Sequence, residues 1–538
     1  MSTISRRSLL QLAGLAGAGL GLTACSTAAP GGGGSTGSSS QAAWPTYQPA
    51  QGPTPDLAST VPGGGMDAYF RYPDSVVKTV AETPGDGSAV TSMVMTYSPP
   101  FASGNQLNAA IVEALGADVQ LSLVPVAEYD SKLTTVSASN DLPDTMLMTT
   151  MPRAKQFLRA TCADITDFVS GDAIADYPNL AAIPTYAWEA MGRVDGRIYG
   201  VPLVRGRQPT VMHVNRTALD SVAAPDPWTR DEFGAAMEEV TGGGRYGLGP
   251  FSGEDFLLRL FTASFGAPNG WQVTDGVFTM AQASDGYKEA LEFVRDMIAR
   301  GLYHPSSGTL AHNDMMNEYY AGKVAAVGGN FTNFATGVYF DRVGDRFQTD
   351  IAPIFAPDYS CSLSSGLFGY TAFKQADPDR IRMLLRICDY LAAPYGSEEW
   401  QLVNLGVEGV HFERDADGAI QMTDLAADEN ANTVPFKYIG DSMDIIQVLN
   451  NEEATQRAFD FFETVVPAGV PNPALGLDSQ TLDTEAPAMD QKFNDAIAAI
   501  VTGRKDIDTW DSVVQDVLNS GGAAAADELA ASYEAAQV

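Results

Sequence analysis

Glu408 and His411 share the glycine-bounded run Gly406-Val407-Glu408-Gly409-Val410-His411. A carboxylate three residues from an imidazole suits proton transfer or metal binding. Zinc and similar ions take three or four protein ligands, however, and no further His, Cys or carboxylate follows at ligand spacing. Two roles stay open for this pair, hydrogen bonding to a ligand or ordering of its own loop. Arg205 and Arg207 flank Gly206. Their guanidinium groups are suited either to grip hydroxyls or a carboxylate of a ligand or to join two parts of a very acidic protein by salt bridges. His213, His304 and His312 have no partners at useful spacing and read as structural. The chain contains no G-x-S-x-G, H-E-x-x-H or P-loop pattern. No catalytic residue, cofactor or metal is assigned.

These residues sit in a chain of 538, long enough for two or three domains. The formal charge of −34 argues against nucleic acid as a partner, because phosphate binding needs clustered cations. Residues 1–24 read as an export signal: Arg6 and Arg7 precede an apolar run from Leu9 to Leu22, too short and glycine-rich for a membrane span. Ser5-Arg6-Arg7-Ser8-Leu9-Leu10 resembles a twin-arginine signal and Leu22-Thr23-Ala24-Cys25 a lipobox, which implies cleavage before Cys25 and a lipid on its sulfur. Residues 25–87 are rich in Gly, Ser and Pro and read as a flexible tether. Cys388 falls on an apolar helical stripe; Cys162 and Cys361 are free to pair, although sequence cannot establish their approach.

From Ala89 onward, strand, helix, strand, helix, strand follow at spacing that predicts a parallel, doubly wound sheet. Ligands bind beyond the carboxyl ends of such strands, which places Tyr97 and Thr150 in candidate site loops. Asp195-Gly196 is a hairpin turn, and Pro202 is expected to end the strand that follows it. Thr229 and Glu232 form a capping-box pattern. The strand-like passages 194–214 and 366–373 separate two bodies of α/β character, an arrangement suited to a hinge.

In this order the residues resemble the extracellular solute-binding proteins of family 1, the lipoprotein receptors of ABC importers, and particularly their long oligosaccharide-binding branch. The resemblance is carried by the lipobox, Leu142-Pro143-Asp144, the run from Val194 to Pro202, and Met212 to Leu219 leading to Trp228–Phe233. Gly328-Gly329-Asn330-Phe331, the helix opened by Asp377-Pro378, Gly406–Phe412 after Glu398-Glu399-Trp400, and Ile500–Lys505 complete it. It implies a two-lobed periplasmic-binding-protein-like α/β fold of type II with a multi-strand hinge. Lobe 1 is expected over 88–202 plus 373–440, and lobe 2 over 203–372 plus 441–538. It also implies a monomeric receptor, lipid-anchored through Cys25 on the outer face of the membrane, that closes on a carbohydrate and hands it to ABC transporter permease subunits without chemistry on it. Sugars are held by aromatic faces and planar polar side chains. The expected contacts are therefore Tyr97, Thr150, Arg205, Arg207, Asn330, Phe331, Phe368, Tyr370, Glu408 and His411. An oligopeptide or other solute receptor is the alternative, and a secreted glycan-active enzyme a more distant one. Phe331 departs from the tryptophan that many family members carry there.

Overall fold

A computed structural model describes residues 41–96, 104–139, 141–149, 151–249, 251, 255–307, 310, 312–355, 360–430 and 435–536. Strands β1 (Ala89–Thr96), β2 (Asp118–Pro125), β3 (Thr145–Met148) and β4 (Gly200–Val204) come first; β5 (Thr210–Asn215) and β6 (Tyr246–Leu248) follow. After a hairpin of β7 (Trp271–Thr274) and β8 (Val277–Met280) come β9 (Val324–Asn330), β10 (Thr349–Ala352) and β11 (Leu367–Phe373). A second hairpin, β12 (Phe412–Arg414) with β13 (Ile420–Met422), closes the series.

Two sheets carry the fold, one ordered β2-β1-β3-β11-β4 and one ordered β10-β5-β9-β6. The first contains the expected parallel ladder, since β1 runs parallel to both β2 and β3. Its outer part is mixed, because β11 is antiparallel to β3 and to β4. β11 thus belongs to the first sheet from Leu367, six residues ahead of the expected lobe boundary at 373. Each sheet has its own core. Met93, Ile111, Leu147, Trp188 and Leu385 are buried in the first, and Met212, Phe233, Phe261, Leu291 and Ile497 in the second.

Pro202 does not end its strand. It sits inside β4, opposite Tyr370. β4 is the edge of its sheet, so the missing N–H leaves no ladder bond unmade on the open side. The capping box forms as expected, with Thr229 and Glu232 exchanging hydrogen bonds at the start of helix Arg230–Val240.

The reading of residues 25–87 as a flexible tether is overturned for its described part. Met66 is fully buried, as are Ala68, Tyr69 and Tyr72 to within a few per cent. Trp44 carries the Arg193 guanidinium 3.5 Å from its ring, Gln48 N donates to Ala181 O, and Val77 N donates to Gly396 O. Between these contacts the segment reaches helix Glu452–Val465, where Glu463 accepts from Ser59 and Thr60. The composition lacks any period because this strap forms no element of its own. It lies on surfaces the two cores have already built. Cys162 and Cys361 are both free and lie in different buried clusters.

Helix Pro378–Leu391 is pinned by a buried acid. Asp389 Oδ1 accepts from Asn179 N at 2.8 Å and Leu180 N at 3.0 Å. Burial pushes its carboxyl up to about 7 from the usual 3.8, against those two bonds and with Glu399 adding to the rise. A raised folded-state value means that the folded protein holds this proton more tightly. The stabilisation is complete below about pH 3.8 and is lost as pH rises through about 7. Asp389→Asn keeps the accepting oxygen and removes the titration. We expect its melting temperature to fall less than that of the parent chain between about pH 5 and pH 8; parallel slopes in calorimetric scans refute the assignment.

Candidate functional site

The topology makes two strand edges face each other. β1, β3 and β4 run the same way in the first sheet, so Thr96, Met148 and Val204 end at one edge, beside the start of β11. In the second sheet β6 and β9 are parallel and end at Leu248 and Asn330, where β5 begins. Only Arg205 to Pro209 separate the end of β4 from the start of β5. Five residues span at most about 18 Å, so the two carboxyl edges lie close to one another. The chain crosses again between β10 and β11, and a third time through residues 440–446, beyond which Ile446 joins the cluster around Phe331.

Arg205 sits at the first crossing, and its partners decide between its two readings. Its Nη1 lies 2.6 Å from Asp441 Oδ2 and donates to Val204 O at 2.7 Å. Gly206 N donates to Asp444 Oδ2 at 3.0 Å, and Lys437 Nζ lies 3.6 Å from Asp441 Oδ1. The arginine side chain is 17% exposed and that of Asp441 5%. Burial alone would lower the guanidinium pKa, but Asp441 and Asp444 outweigh it and raise it; burial raises Asp444, against Arg205. Arg205 therefore ties the first crossing to the third. The same guanidinium lies 5.2 Å from the Phe368 ring, which packs against Tyr438 with centroids 5.2 Å apart. Phe368 is half-buried at the strand edge and retains surface for a ligand.

Tyr370 is half-buried beneath that edge and packs on the first core; burial raises its phenol. Asn330 ends β9 at the opposite edge. Its Oδ1 accepts from Asn333 N at 3.2 Å and its carbonyl receives His213 Nε2 at 3.1 Å, which places the proton of His213 on Nε2. Gln208 Oε1 accepts from Thr332 N and Oγ1, holding the first crossing to the start of helix Thr332–Ala335.

Four expectations need correction or relocation. Phe331 is 0% exposed and packs on Phe461 and Phe462, with centroids 6.1 and 5.3 Å away, so it is core and offers no stacking face. His411 is also 0% exposed. Val407 N donates to its Nδ1 at 3.0 Å, so Nε2 carries the proton and donates to Glu429 Oε2 at 3.0 Å. Glu429 in turn accepts Leu107 N, capping helix Gln106–Leu115. Glu408 lies 3.7 Å from Arg414, the last residue of β12. His411 is thus spent on bracing its own loop, while the Glu408 side chain stays 52% exposed. Arg207 lies 4.8 Å from the Tyr186 ring, in a cavity formed with the strap. Tyr97, Thr150 and Cys25 lie outside the described residues.

Sequence reasoning missed Asp441, Asp444 and Tyr438. They occupy a stretch without helical or strand period, and in a chain with 66 acidic residues two more carboxylates carry no signal. It also missed the contacts between lobes at the rim, where Lys155 pairs with Asp478 and Arg153 N donates to Asp483 O at 2.9 Å. Among the described residues no three His, Cys, Asp or Glu side chains are grouped to hold a metal ion.

Arg205→Ala leaves Asp441 buried beside only Lys437, and we expect a loss of about 3–5 kcal/mol in urea unfolding. Arg205→Met with Asp441→Leu removes both charges and should recover most of it. Phe331→Ala should cost about 3–5 kcal/mol by opening a cavity. A loss below about 1 kcal/mol would place the ring outside the core.

A family model described as bacterial extracellular solute-binding protein matches residues 106–400, more than half of the chain. Lipoprotein LipO of Bacillus subtilis is 21% identical over 471 residues, covering 81% of this chain and 91% of LipO. Among solved structures, the alginate-binding protein AlgQ2 superposes with a TM-score of 0.63 at 14% identity, over 85% of this chain and all of AlgQ2. An HMO binding, ABC-transporter-associated solute-binding protein from Bifidobacterium longum infantis gives 0.61 at 15%, over 84% of this chain and 99% of that one. These two structures share the two-domain α/β fold of this chain, and the family match over more than half of its length shows that the chain belongs to the bacterial extracellular solute-binding proteins.

Proposed function

We propose that the chain is the capture subunit of an ABC importer and closes its two lobes on a carbohydrate, an oligosaccharide by preference. The observation that carries this reading is the half-buried Phe368 ring, backed by Tyr438 and flanked by the Arg205 guanidinium, at the edge that faces Asn330. An aromatic face takes the C–H surface of a pyranose, and an amide and a guanidinium take its hydroxyls. Family membership supports the reading, as does the likeness of the fold to an alginate-binding and an HMO binding protein. Tyr370 serves beneath Phe368, with Tyr97 and Thr150, which follow β1 and β3 in the sequence. The lobe built on the first sheet moves against the lobe built on the second. Closure is a shift of population, so the ligand must touch more of both lobes in the closed form than in the open one. A lipid on Cys25 holds the monomer outside the membrane, and the closed form docks on the permease subunits.

The test is calorimetry and thermal shift of the mature chain carrying Cys25→Ser against a glycan panel. At least one oligosaccharide should bind saturably and raise the melting temperature without being altered. Phe368→Ala should weaken that binding about tenfold or more while leaving the fold intact. Product formation, or binding of peptides alone, contradicts the reading, and unchanged affinity in Phe368→Ala removes the aromatic contact.

A further inference from the structure

The two lobes also touch directly at their rim, away from the crossings. Helix Ala154–Thr161 belongs to the first lobe, where Phe157 and Leu158 enter its core. Helix Gln480–Val501 belongs to the second, through Met489, Phe493 and Ile497. Between them Arg153 N donates to Asp483 O at 2.9 Å, and Lys155 Nζ pairs with Asp478. Burial, Cys162 and then the Asp483 charge raise the Tyr370 phenol, so this contact stands close to the proposed aromatic site.

Three features mark the contact as built. A helix leaves its first N–H groups without intrahelical acceptors. Helix Ala154–Thr161 has no side-chain cap, and Arg153 holds the N-cap position at φ of +61°, a region that favours glycine. The other lobe supplies the acceptor instead. Burial raises the Asp483 carboxyl pKa against Lys155 and the Ala154 N–H, so its carboxylate stands at the same helix end, where a negative charge is favoured. The opposing residues are held independently of the first lobe. Glu528 Oε2 accepts from Ser479 Oγ at 2.6 Å and Thr481 N at 2.8 Å, and Asp478 N donates to Ser532 Oγ at 2.8 Å. Both acceptors lie on helix Ala523–Ala536, whose Tyr533 packs on Phe278 of β8. Gly476, at φ of +74°, adds a second point of approach. A Cβ there would stand 2.1 Å from Glu189 O on helix Thr185–Met191 of the first lobe, so only glycine lets the loop come this near.

We propose that residues 153–155 and 476–483 form a latch between the lobes, which holds them closed through protein contacts alone and must open before a ligand enters or leaves. The side chains of Lys155 and Asp478 are 36% and 62% exposed, and ion pairs of that exposure are weak. The latch therefore biases the lobes toward closure without locking them, and contacts made by a ligand still decide the closed population. Entry and release are both slowed, since both break the same contacts. The inference rests on the proposed movement of the lobes and not on the identity of the ligand.

The test follows the distance between the lobes by single-molecule fluorescence transfer in the mature chain carrying Cys25→Ser, with no glycan added. Dyes are placed at Glu128→Cys and Arg259→Cys, exposed positions on helices Val126–Ser137 and Phe256–Ser264 of opposite lobes; Cys162, Cys361 and Cys388 are buried. The parent should show a short and a long distance, with the short one dominant. Lys155→Glu and Asp478→Lys, one on each lobe, set like charges together, and each should raise the ratio of long to short about tenfold or more. Lys155→Arg should leave the ratio unchanged. A dominant long distance in the parent, an unmoved ratio in both charge variants, or a shift in Lys155→Arg as large as in Lys155→Glu overturns the proposal. One fixed distance in every variant overturns it as well, by refuting the movement of the lobes. Failure of the carbohydrate reading shows separately, in the glycan panel, and leaves these distances as they are.

Discussion

The buried ion pair of Arg205 and Asp441 is the interaction on which the two-lobed arrangement turns. Each charge pays a desolvation cost of several kcal/mol on leaving water, and each is tolerable only because the other is there. The pair joins residues 236 positions apart, on the first and third crossings. Lys437 and Asp444 complete the set at the same place, so the crossings share one electrostatic knot. Because the knot lies where the crossings meet, it holds them together between the two sheets. A ligand that used Arg205 as its main grip would have to compete with Asp441. The geometry commits the guanidinium to the crossings first.

The strap shows how a segment without intrinsic structure becomes ordered. Its glycines and prolines supply no period and little apolar area, yet Trp44, Met66, Ala68, Tyr69 and Tyr72 each find a prepared surface. Ordering a residue costs about 1–2 kcal/mol of backbone entropy, which isolated contacts do not offset in a free chain. Burial of large side chains on preformed cores does offset it, at roughly 1.5–3 kcal/mol each. The strap touches the first lobe at Ala181 and Gly396 and the second at Glu463. It therefore spans the crossings and walls a cavity that neither lobe forms alone.

Most of the elements were legible from local signals. The strand-helix-strand series from Ala89, the capping box at Thr229 and the two crossings around 205 and 366 all appear where period and turn chemistry place them. The site was legible only in outline. Asn330, Phe368 and Tyr370 stand at or beside strand edges as their spacing implies, because strand ends follow from the sequence pattern. Phe331, one residue further, turns into the core, and a one-residue change of direction is invisible to any pattern of residue types. His411 was singled out for its chemistry and instead uses both nitrogens on Val407 and Glu429.

What the sequence determined by itself was the class of fold, two α/β bodies joined by several crossings, since these rest on hydrophobic period and turn residues that act within about ten positions. The family also followed from it, through motifs in order. Tertiary structure alone decided which polar groups were already spent. Arg205 met Asp441, His411 met Glu429, Pro202 fell on an edge strand, and the tether became a strap. Each outcome depends on a partner tens to hundreds of residues away, and the availability of a charged or aromatic side chain for a ligand is set by that partner.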